Sequence, residues 1–300
     1  MREVRIPAYA KINLRLDILG KRADGFHELR TIFQTISLHD ELRLRASAGK
    51  KIELTIAGNE ALSNEAVETN LVYRAVETLR RELKSSAGVK IELRKAIPAG
   101  RGLGGGSSDA AAGLLGYLRL TGKKIRLERL MEIAASLGAD VPFFLFGGRA
   151  LGVNKGDEIY PLPDMAKRAV LVVSPKNIHV ATPDAYQWLN AGQLTKSAVS
   201  PKLWEFCALC WSAQGDSLSN DFEQAVFQRH SRLEEIKRVL LQKGAAGASL
   251  AGSGSAVFGV FPSPVMARRA AVGFPHESTF VCETVSRQRY LRAVKGARVG

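Results

Sequence analysis

The chain has 300 residues, enough for two ordinary domains or one large domain with a real hydrophobic core. Hydrophobic residues make up 46% and charged residues 24%, a composition that excludes wholesale disorder. The 43 basic and 29 acidic residues give a formal net charge of +14, which by itself favours a nucleic-acid or anionic-membrane partner.

The positive charge is spread along the chain. Residues 1–150 hold 25 basic and 17 acidic residues, a net +8, and residues 151–300 hold 18 and 12, a net +6. The single one-signed block is the tail over residues 286–300, whose composition is typical of a solvated, flexible end rather than a recognition arm. We therefore expect no nucleic-acid partner. The longest uncharged stretch, residues 244–267, contains five Gly, four Ser and two Pro, which favours strands and turns over a membrane helix.

The start of the chain and its cysteines indicate the compartment. The opening MREVRIPAYA lacks the apolar core of a signal peptide, so we do not expect secretion. Three cysteines cannot build a disulfide framework, and the lone C-x-x-C of Cys207 and Cys210 lies among aromatic residues. That setting favours buried structural thiols over zinc or redox chemistry. The sequence therefore predicts a cytoplasmic protein with no metal site built from its own side chains.

Hydrophobic periodicity predicts strands and helices along the first half of the chain. Period-two alternation predicts a strand over residues 4–19, a β-hairpin over residues 42–56 and a further strand over residues 89–94. Helical spacing follows Asn70, a good N-cap, and recurs over residues 127–137.

The pattern restarts after Pro161-Leu162-Pro163 with the buried-strand sequence AVLVVSP, which indicates a domain boundary. Further on, Ser231 and Glu234 predict a capping box at the start of a helix, and strand and helix patterns follow it. The predicted fold class is mixed α/β, or α+β. The predicted N-terminal domain, C-terminal domain and flexible basic tail cover residues 1–162, 163–285 and 286–300.

A glycine-rich loop over residues 98–109 carries the clearest chemical signal. Five glycines within seven residues allow backbone N–H groups to converge on an anion, and the following helix adds its positive end. The alternative is a flexible connector. G-x-G-x-x-G is present, but the acidic residue that a dinucleotide fold needs about 20 residues later falls near Glu128, inside a predicted helix. The Walker motif G-x-x-x-x-G-K-[ST] is absent.

The loop and four other segments carry a resemblance to a known family. PAGRGLGGGSSDAAA resembles the ATP-binding motif of the GHMP kinases, and AYAKINLRLDI and SLAGSGSAVFGV resemble their first and third motifs. RADGFHELRTIFQ and GADVPFF resemble the branch that phosphorylates a small cytidine diphosphate compound. The match runs from about Ala8 to Val285. It implies an ATP-dependent small-molecule kinase with a two-domain fold and an active site in the cleft between the domains.

The resemblance implies catalytic roles for Lys11 and Asp140. Asp140 would accept the proton of the substrate hydroxyl, and Lys11 would attract the γ-phosphate. The alternatives, from the residues alone, are that Asp140 is a loop acid and that Lys11 points to solvent from an edge strand. Mg²⁺ would arrive with ATP. The residues implied to bind ATP are Pro98, Ala99, Gly100, Arg101, Gly102, Leu103, Gly104, Gly105, Gly106, Ser107 and Ser108.

Substrate recognition is implied for aromatic and polar residues outside the loop. Phe26 would stack on the cytosine, His27 would hydrogen-bond the base edge and Tyr186 would supply a second aromatic face. The alternative is that Phe26 fills the core and His27 caps a turn. Asn13 shares the strand face of Lys11 and would bind the reacting hydroxyl or phosphate. The residues implied to shape the site are Gly252, Ser253 and Gly254, which otherwise form an ordinary hairpin turn.

Several questions stay open at this point. Arg101 stands where the family commonly has a small residue, and it either approaches phosphate or points outward. The alternatives to the cytidine-directed kinase are another GHMP kinase acting on homoserine, mevalonate or a sugar, a nucleic-acid-binding protein suggested by the +14 charge, and a relative that binds nucleotide without catalysis. The sequence does not indicate the oligomeric state.

Overall fold

The computed structural model describes residues 3–189 and 218–295, which form eleven strands and ten α-helices. The strands are β1 (Glu3–Lys21), β2 (His27–Ser47), β3 (Ile52–Ala57), β4 (Gly88–Arg94), β5 (Arg149–Val153), β6 (Glu158–Pro161), β7 (Ala169–Ser174), β8 (Ser219–Asn220), β9 (Gly247–Leu250), β10 (Val257–Phe261) and β11 (Ser278–Glu283). The helices are α1 (Glu60–Ser63), α2 (Leu71–Glu82), α3 (Gly105–Thr121), α4 (Leu127–Leu137), α5 (Phe143–Phe146), α6 (Thr182–Gln187), α7 (Phe222–Arg229), α8 (Ser231–Gln242), α9 (Pro264–Ala271) and α10 (Arg287–Lys295).

A seven-stranded sheet is built from β1 to β6 of the first half together with the short β8 of the second half. Its central order is β3–β4–β2–β1–β8, and β5 and β6 continue from β2. The long antiparallel ribbon of β1 and β2 organises it. Along β1, alternation of buried and exposed residues gives way to burial on both faces, because the strand passes between the two halves of the molecule. Its apolar residues consequently contribute to all three hydrophobic clusters.

The predicted β-hairpin over residues 42–56 is wrong, although both of its strands exist. Strand β4 lies between them, antiparallel to β2 and parallel to β3. Ile91 pairs with Leu44 on one side and with Leu54 on the other. Period-two alternation specifies which face of a strand is buried but not which strands pair with it. The pattern therefore could not predict that a later strand lies between these two.

Helices α2, α3 and α4 contact one another on the N-terminal half, and α3 packs on the sheet. The predicted N-cap is confirmed, because the Asn70 side chain accepts a hydrogen bond from the N–H of Val72 at 2.9 Å. Small residues let α3 approach the sheet closely. A Cβ on Gly116 would lie only 2.6 Å from the side chain of Leu44, so this helix holds its N-terminus at a fixed place above β1 and β2.

The second sheet has four antiparallel strands in the order β11–β7–β10–β9 and packs against α7, α8 and α9. The predicted capping box is wrong. Helix α8 begins at Ser231, which makes His230 the N-cap, and no side chain caps its first turn. A Ser side chain caps only from the position before the helix, and here it lies one residue too far along. Gly244, with φ +90°, follows the helix end.

The predicted flexible tail over residues 286–300 is wrong for its first ten residues. Helix α10 packs on the N-terminal half, with Tyr290 and Val294 buried. These two residues and Leu291 form an apolar stripe between the basic residues. The prediction considered only the charges of the tail and therefore missed this stripe. Residues 296–300, together with Cys207 and Cys210, lie outside the described residues. Across the described ranges, no helix is long and apolar enough to cross a bilayer.

Candidate active site

A cleft of about 1180 Å³ is lined by residues from both halves of the chain. It brings together most of the residues singled out in the sequence, namely Lys11, Asn13, Phe26, His27, Pro98 to Ser107, Asp140, Tyr186, Gly252 and Ser253. Ser108 and Gly254 lie directly beside this lining. The motifs are therefore close in space although they are up to about 240 residues apart in the chain.

Lys11 and Asp140 form an ion pair at the centre of the cleft. Lys11 Nζ lies 3.3 Å from Asp140 Oδ2, and their side chains are 4% and 32% exposed. The ammonium also lies 5.5 Å from the centre of the Phe33 ring. The alternative of a solvent-facing lysine on an edge strand is wrong, because Lys11 is buried and its backbone N–H donates to the carbonyl of Leu103 in the glycine loop at 3.0 Å. The pair presents a buried cation and an accessible carboxylate to whatever occupies the cleft.

Asn13 orients the lysine. Its Oδ1 accepts a hydrogen bond from Lys11 Nζ at 2.9 Å, and its Nδ2 donates to Thr31 Oγ1 at 2.7 Å. Thr31 in turn donates to the backbone carbonyl of Arg15 at 2.8 Å. This chain of hydrogen bonds across β1 and β2 fixes the ammonium position. Thr31, which the sequence analysis did not select, belongs to the site.

The glycine loop owes its shape to three left-handed residues. Gly100, Gly102 and Gly104 have φ values of +64°, +77° and +72°, a region that favours glycine. Gly104 precedes α3, so the loop ends at the free N–H groups and positive dipole end of a 17-residue helix. Such an arrangement binds anions, and phosphate above all.

The loop also lies directly against the turn over residues 251–254, which we call the third-motif turn. A Cβ on Gly102 would lie 1.8 Å from the carbonyl oxygen of Ala251. A Cβ on Gly252 would lie 3.1 Å from the carbonyl oxygen of Gly102 and 3.3 Å from Lys11 Nζ. The turn does join two hairpin strands, β9 and β10, and it forms one wall of the site as well. Only glycine allows this approach of two backbones.

Arg101 points away from the middle of the loop. Its Nη1 donates to Ser255 Oγ at 2.7 Å, and its Nη2 donates to the carbonyl of Lys176 at 3.1 Å. Ser255 Oγ itself donates to the carbonyl of Ile178 at 2.6 Å. Arg101, which stands where the family commonly has a small residue, thus connects the glycine loop to the C-terminal half by hydrogen bonds.

Phe26 lies at the far end of the cleft and is 57% exposed, so the alternative in which it fills the core is wrong. The turn that carries it is held by Asp24, whose carboxylate accepts from the N–H of Phe26 at 3.1 Å. Lys155 Nζ lies 4.8 Å from the ring centre. With a cation at that distance, the ring is oriented as well as exposed.

His27 and Tyr186 stack across the cleft from opposite halves of the molecule. Their ring centres are 4.5 Å apart and their planes differ by 19°. Burial, and after it the nearby Lys21 charge, lowers the pKa of His27 below its usual value, so its imidazole is neutral at pH 7. Burial, and after it the Asp140 carboxylate, raises the pKa of Tyr186 to about 12. Both rings therefore offer neutral hydrogen-bonding groups.

A buried charge cluster beneath the loop was missed by the sequence analysis. Lys95 Nζ donates to Asp109 Oδ2 at 2.6 Å and to Asp40, whose other oxygen accepts from the N–H of Ile97 at 2.8 Å. Burial, together with Asp40, raises the pKa of Asp109 well above its usual value despite the attraction of Lys95. The Lys95 ammonium thus lies between two buried carboxyls, and Asp109 is the one whose protonated form is favoured. The cluster fixes the start of α3. The residue that could have revealed it in the sequence is Asp109, which is part of the glycine-rich motif but was given no role.

Oxygen donors suitable for Mg²⁺ are present next to the loop. Ser107 lines the cleft, and the buried Ser108 hydroxyl has no hydrogen-bond partner within the described ranges. Mg²⁺ prefers such hard oxygen ligands in combination with substrate phosphates. Among residues 3–189 and 218–295, no cluster of three or more His, Cys, Asp or Glu could hold a metal by itself. The donor set fits an ion that arrives with a nucleotide.

Comparison with known proteins agrees with this geometry. The GHMP kinases N terminal domain matches residues 70–148, and the GHMP kinases C terminal domain matches residues 203–275. The chain belongs to the GHMP kinases. The predictions of this family, of its two-domain fold and of a small-molecule kinase are thereby confirmed.

The relatives within the family carry a more specific name. A protein of Solibacter usitatus named 4-diphosphocytidyl-2-C-methyl-D-erythritol kinase is 43% identical over 295 residues, covering 96% of this chain and 91% of that protein. A protein of Citrifermentans bemidjiense with the same name is 40% identical over 275 residues, covering 90% and 94%. The predicted resemblance to the cytidine-directed branch is confirmed by these relatives.

Among solved structures, a kinase of the cytidine compound is more similar to this chain than a homoserine kinase is. A crystal structure of 4-(cytidine 5'-diphospho)-2C-methyl-D-erythritol kinase matches with a TM-score of 0.80 and 31% identity, covering 94% of this chain and 99% of that one. Homoserine kinase from Cytophaga hutchinsonii matches with a TM-score of 0.66 and 21% identity, covering 95% of each. The second likeness shows the fold alone.

Proposed function

We propose that the chain transfers the γ-phosphoryl group of ATP to the 2-hydroxyl of 4-diphosphocytidyl-2-C-methyl-D-erythritol, giving the 2-phosphate and ADP. This reaction belongs to the non-mevalonate route to isoprenoid precursors, and the proposed compartment is the cytoplasm. The observation that carries the proposal is the Lys11–Asp140 pair, which lies between the glycine loop and the aromatic residues of one cleft. A phosphate-binding end and a base-binding end then flank one reacting centre.

In the proposed mechanism the glycine loop and the start of α3 hold the triphosphate through backbone N–H groups. Asp140 accepts the proton of the substrate hydroxyl while the hydroxyl oxygen attacks the γ-phosphorus. The bond between that phosphorus and the β,γ-bridging oxygen breaks, and ADP leaves. Lys11, held by Asn13, supplies positive charge beside the transferring group, where it stabilises the transition state more than the ground state.

Mg²⁺ is proposed to be held by the ATP phosphates with a hydroxyl of Ser107 or Ser108. When bound, it neutralises phosphate charge. The buried and unpartnered Ser108 hydroxyl supports this assignment within the described residues.

The cytidine is proposed to bind at the aromatic end. Phe26 offers an exposed face, and neutral His27 offers one donor and one acceptor to the base edge. Tyr186 supports His27 by stacking from the opposite half of the molecule. Homoserine and mevalonate have no ring to stack on the exposed face of Phe26, and this favours the cytidine compound over the other GHMP kinase substrates.

A substrate panel tests the proposal. ADP release is followed with 4-diphosphocytidyl-2-C-methyl-D-erythritol, mevalonate, homoserine and galactose, each added separately to enzyme with Mg-ATP. We expect turnover with the cytidine compound alone. Turnover with mevalonate, homoserine or galactose and none with the cytidine compound would overturn the substrate assignment while leaving the kinase class intact.

A further inference from the structure

Asn220 is a buried residue that none of the sequence motifs includes. It ends β8, is 5% exposed and has both polar atoms of its side chain in hydrogen bonds. Its Nδ2 donates to the carbonyls of Leu250 at 2.9 Å and Gly252 at 2.7 Å, while its Oδ1 accepts from the N–H of Phe222 at 3.0 Å. Two donors and one acceptor in this arrangement match an amide and no other side chain of the same size.

The segment around Asn220 is also attached to the strand that carries the catalytic lysine. Asn220 pairs with Leu16 of β1 in the parallel β1–β8 contact. The N–H of Asp221 donates to the carbonyl of Leu16 at 3.0 Å, and the Asp221 carboxylate accepts from the N–H of Ile18 at 2.6 Å. The amide of Asn220 therefore starts from a backbone position that is fixed relative to β1.

The carbonyl that Asn220 holds belongs to the wall of the phosphate site. Gly252 lies in the third-motif turn, whose backbone contacts Gly102 of the glycine loop and approaches Lys11 Nζ. A shift of this turn by a few tenths of an ångström would move it against both groups, since the backbones are already in contact. The position of the phosphate loop relative to Lys11 thus depends on where residues 251–254 are held.

We infer that Asn220 is a positioning residue that fixes the third-motif turn against the glycine loop and so sets the geometry of ATP binding and phosphoryl transfer. The transfer part of this inference rests on the proposed function, whereas the nucleotide-binding part does not. An Asp at position 220 keeps the shape of the side chain but turns a carboxylate oxygen toward two carbonyl oxygens. Both hydrogen bonds are then replaced by repulsion.

The test compares wild type with Asn220→Asp and Asn220→Ser, using Gln242→Glu, an exposed amide-to-carboxylate change, as the matched control. ADP affinity is measured by calorimetry, kcat and both KM values by ADP release, and the folded fraction by circular dichroism. We expect Asn220→Asp to weaken ADP binding and lower kcat by about 10- to 100-fold, with the KM for the cytidine compound within twofold of wild type. Asn220→Ser, which keeps one donor, should show a smaller loss, and Gln242→Glu none.

A purely structural role predicts a different outcome. Both variants would then unfold at lower temperature, while ADP affinity and kcat per folded molecule stayed within twofold of wild type, and that result would overturn the inference. If Asn220→Asp does not fold, the same criterion applies to Asn220→Ser. An enzyme that binds ADP in an Asn220-dependent way but shows no turnover with the cytidine compound would refute the proposed function and leave this inference standing.

Discussion

Lys11 Nζ lies 3.3 Å from Asp140 Oδ2, and the cation is almost completely buried while the carboxylate is about one-third exposed. The lysine comes from the middle of β1 and the aspartate from the connection between α4 and α5. The asymmetry of exposure suits their proposed roles, because a proton acceptor must reach the substrate whereas a charge-stabilising group is more effective in a low-dielectric setting.

Replacing the cation should damage the chemical step. We expect Lys11→Met, which keeps the length of the side chain, to lower kcat by roughly 10²- to 10³-fold, the size typical of a lost transition-state donor. The KM for the cytidine compound should change little, since Phe26 and His27 remain in place. Steady-state kinetics with Lys50→Met, an exposed lysine, as control measures this effect. A kcat within threefold of wild type would remove Lys11 from the mechanism.

Removing the exposed ring should weaken substrate binding and leave ATP binding unchanged. Base stacking contributes about 1–3 kcal/mol, so we expect Phe26→Ala to raise the KM for the cytidine compound by roughly 5- to 150-fold. Phe26→Tyr should restore it. The matched control is Tyr160→Ala, since Tyr160 is 53% exposed and lies outside the cleft. An unchanged KM in Phe26→Ala would place the base elsewhere.

The buried cluster under the loop should make stability depend on pH. Because the pKa of Asp109 is raised in the folded protein, folding takes up a proton above the unfolded pKa of about 4. The contribution of this group to the free energy of unfolding therefore falls as pH rises toward the folded pKa, by about 1.4 kcal/mol per pH unit for one proton.

Asp109→Asn has the shape of the protonated acid and should remove this dependence. We expect the variant to gain stability relative to wild type between pH 5 and pH 8, as measured by urea unfolding at each pH. Glu234→Gln, at an exposed carboxyl, serves as control. Parallel pH profiles for wild type and Asp109→Asn would show that Asp109 is ionised in the folded protein.

Helix α10 should stabilise the segment that follows Asp140. The Tyr290 hydroxyl donates to the carbonyl of Phe144 within α5, and the ring lies on Gly147, whose φ is +60°. Tyr290→Phe leaves that buried carbonyl without this donor, so we expect the free energy of unfolding to fall by about 1–3 kcal/mol. The measurement is urea unfolding beside Tyr160→Phe. A change below about 0.5 kcal/mol, the usual range of a neutral surface substitution, would contradict the proposed contact.

The sequence alone predicted those parts of the site that belong to local patterns. The glycine loop could be predicted as a phosphate site because its glycines are followed directly in the chain by a helix. Lys11 and Asp140 were predicted from the family resemblance. Strand β1 and the Asn70 cap are likewise local features. Each depends on residues that are near one another in the chain.

The parts that were missed depend on contacts between distant segments. The Lys95 cluster joins residues 40, 95 and 109, and Asn220 joins three segments across 200 residues. Neither arrangement follows a period or a spacing. The predicted hairpin was wrong for the same reason, because β4 enters between β2 and β3 from a position 30 residues later.

The most direct test of the central claim is phosphorus NMR of the products formed from Mg-ATP and the cytidine compound by wild type and by Asp140→Asn. Wild type should convert the γ-phosphate signal of ATP into a phosphomonoester signal on the cytidine compound, with an equal amount of ADP. Asp140→Asn should form this product about 10²- to 10⁴-fold more slowly. Release of inorganic phosphate without a phosphomonoester, or an undiminished rate in Asp140→Asn, would contradict the account.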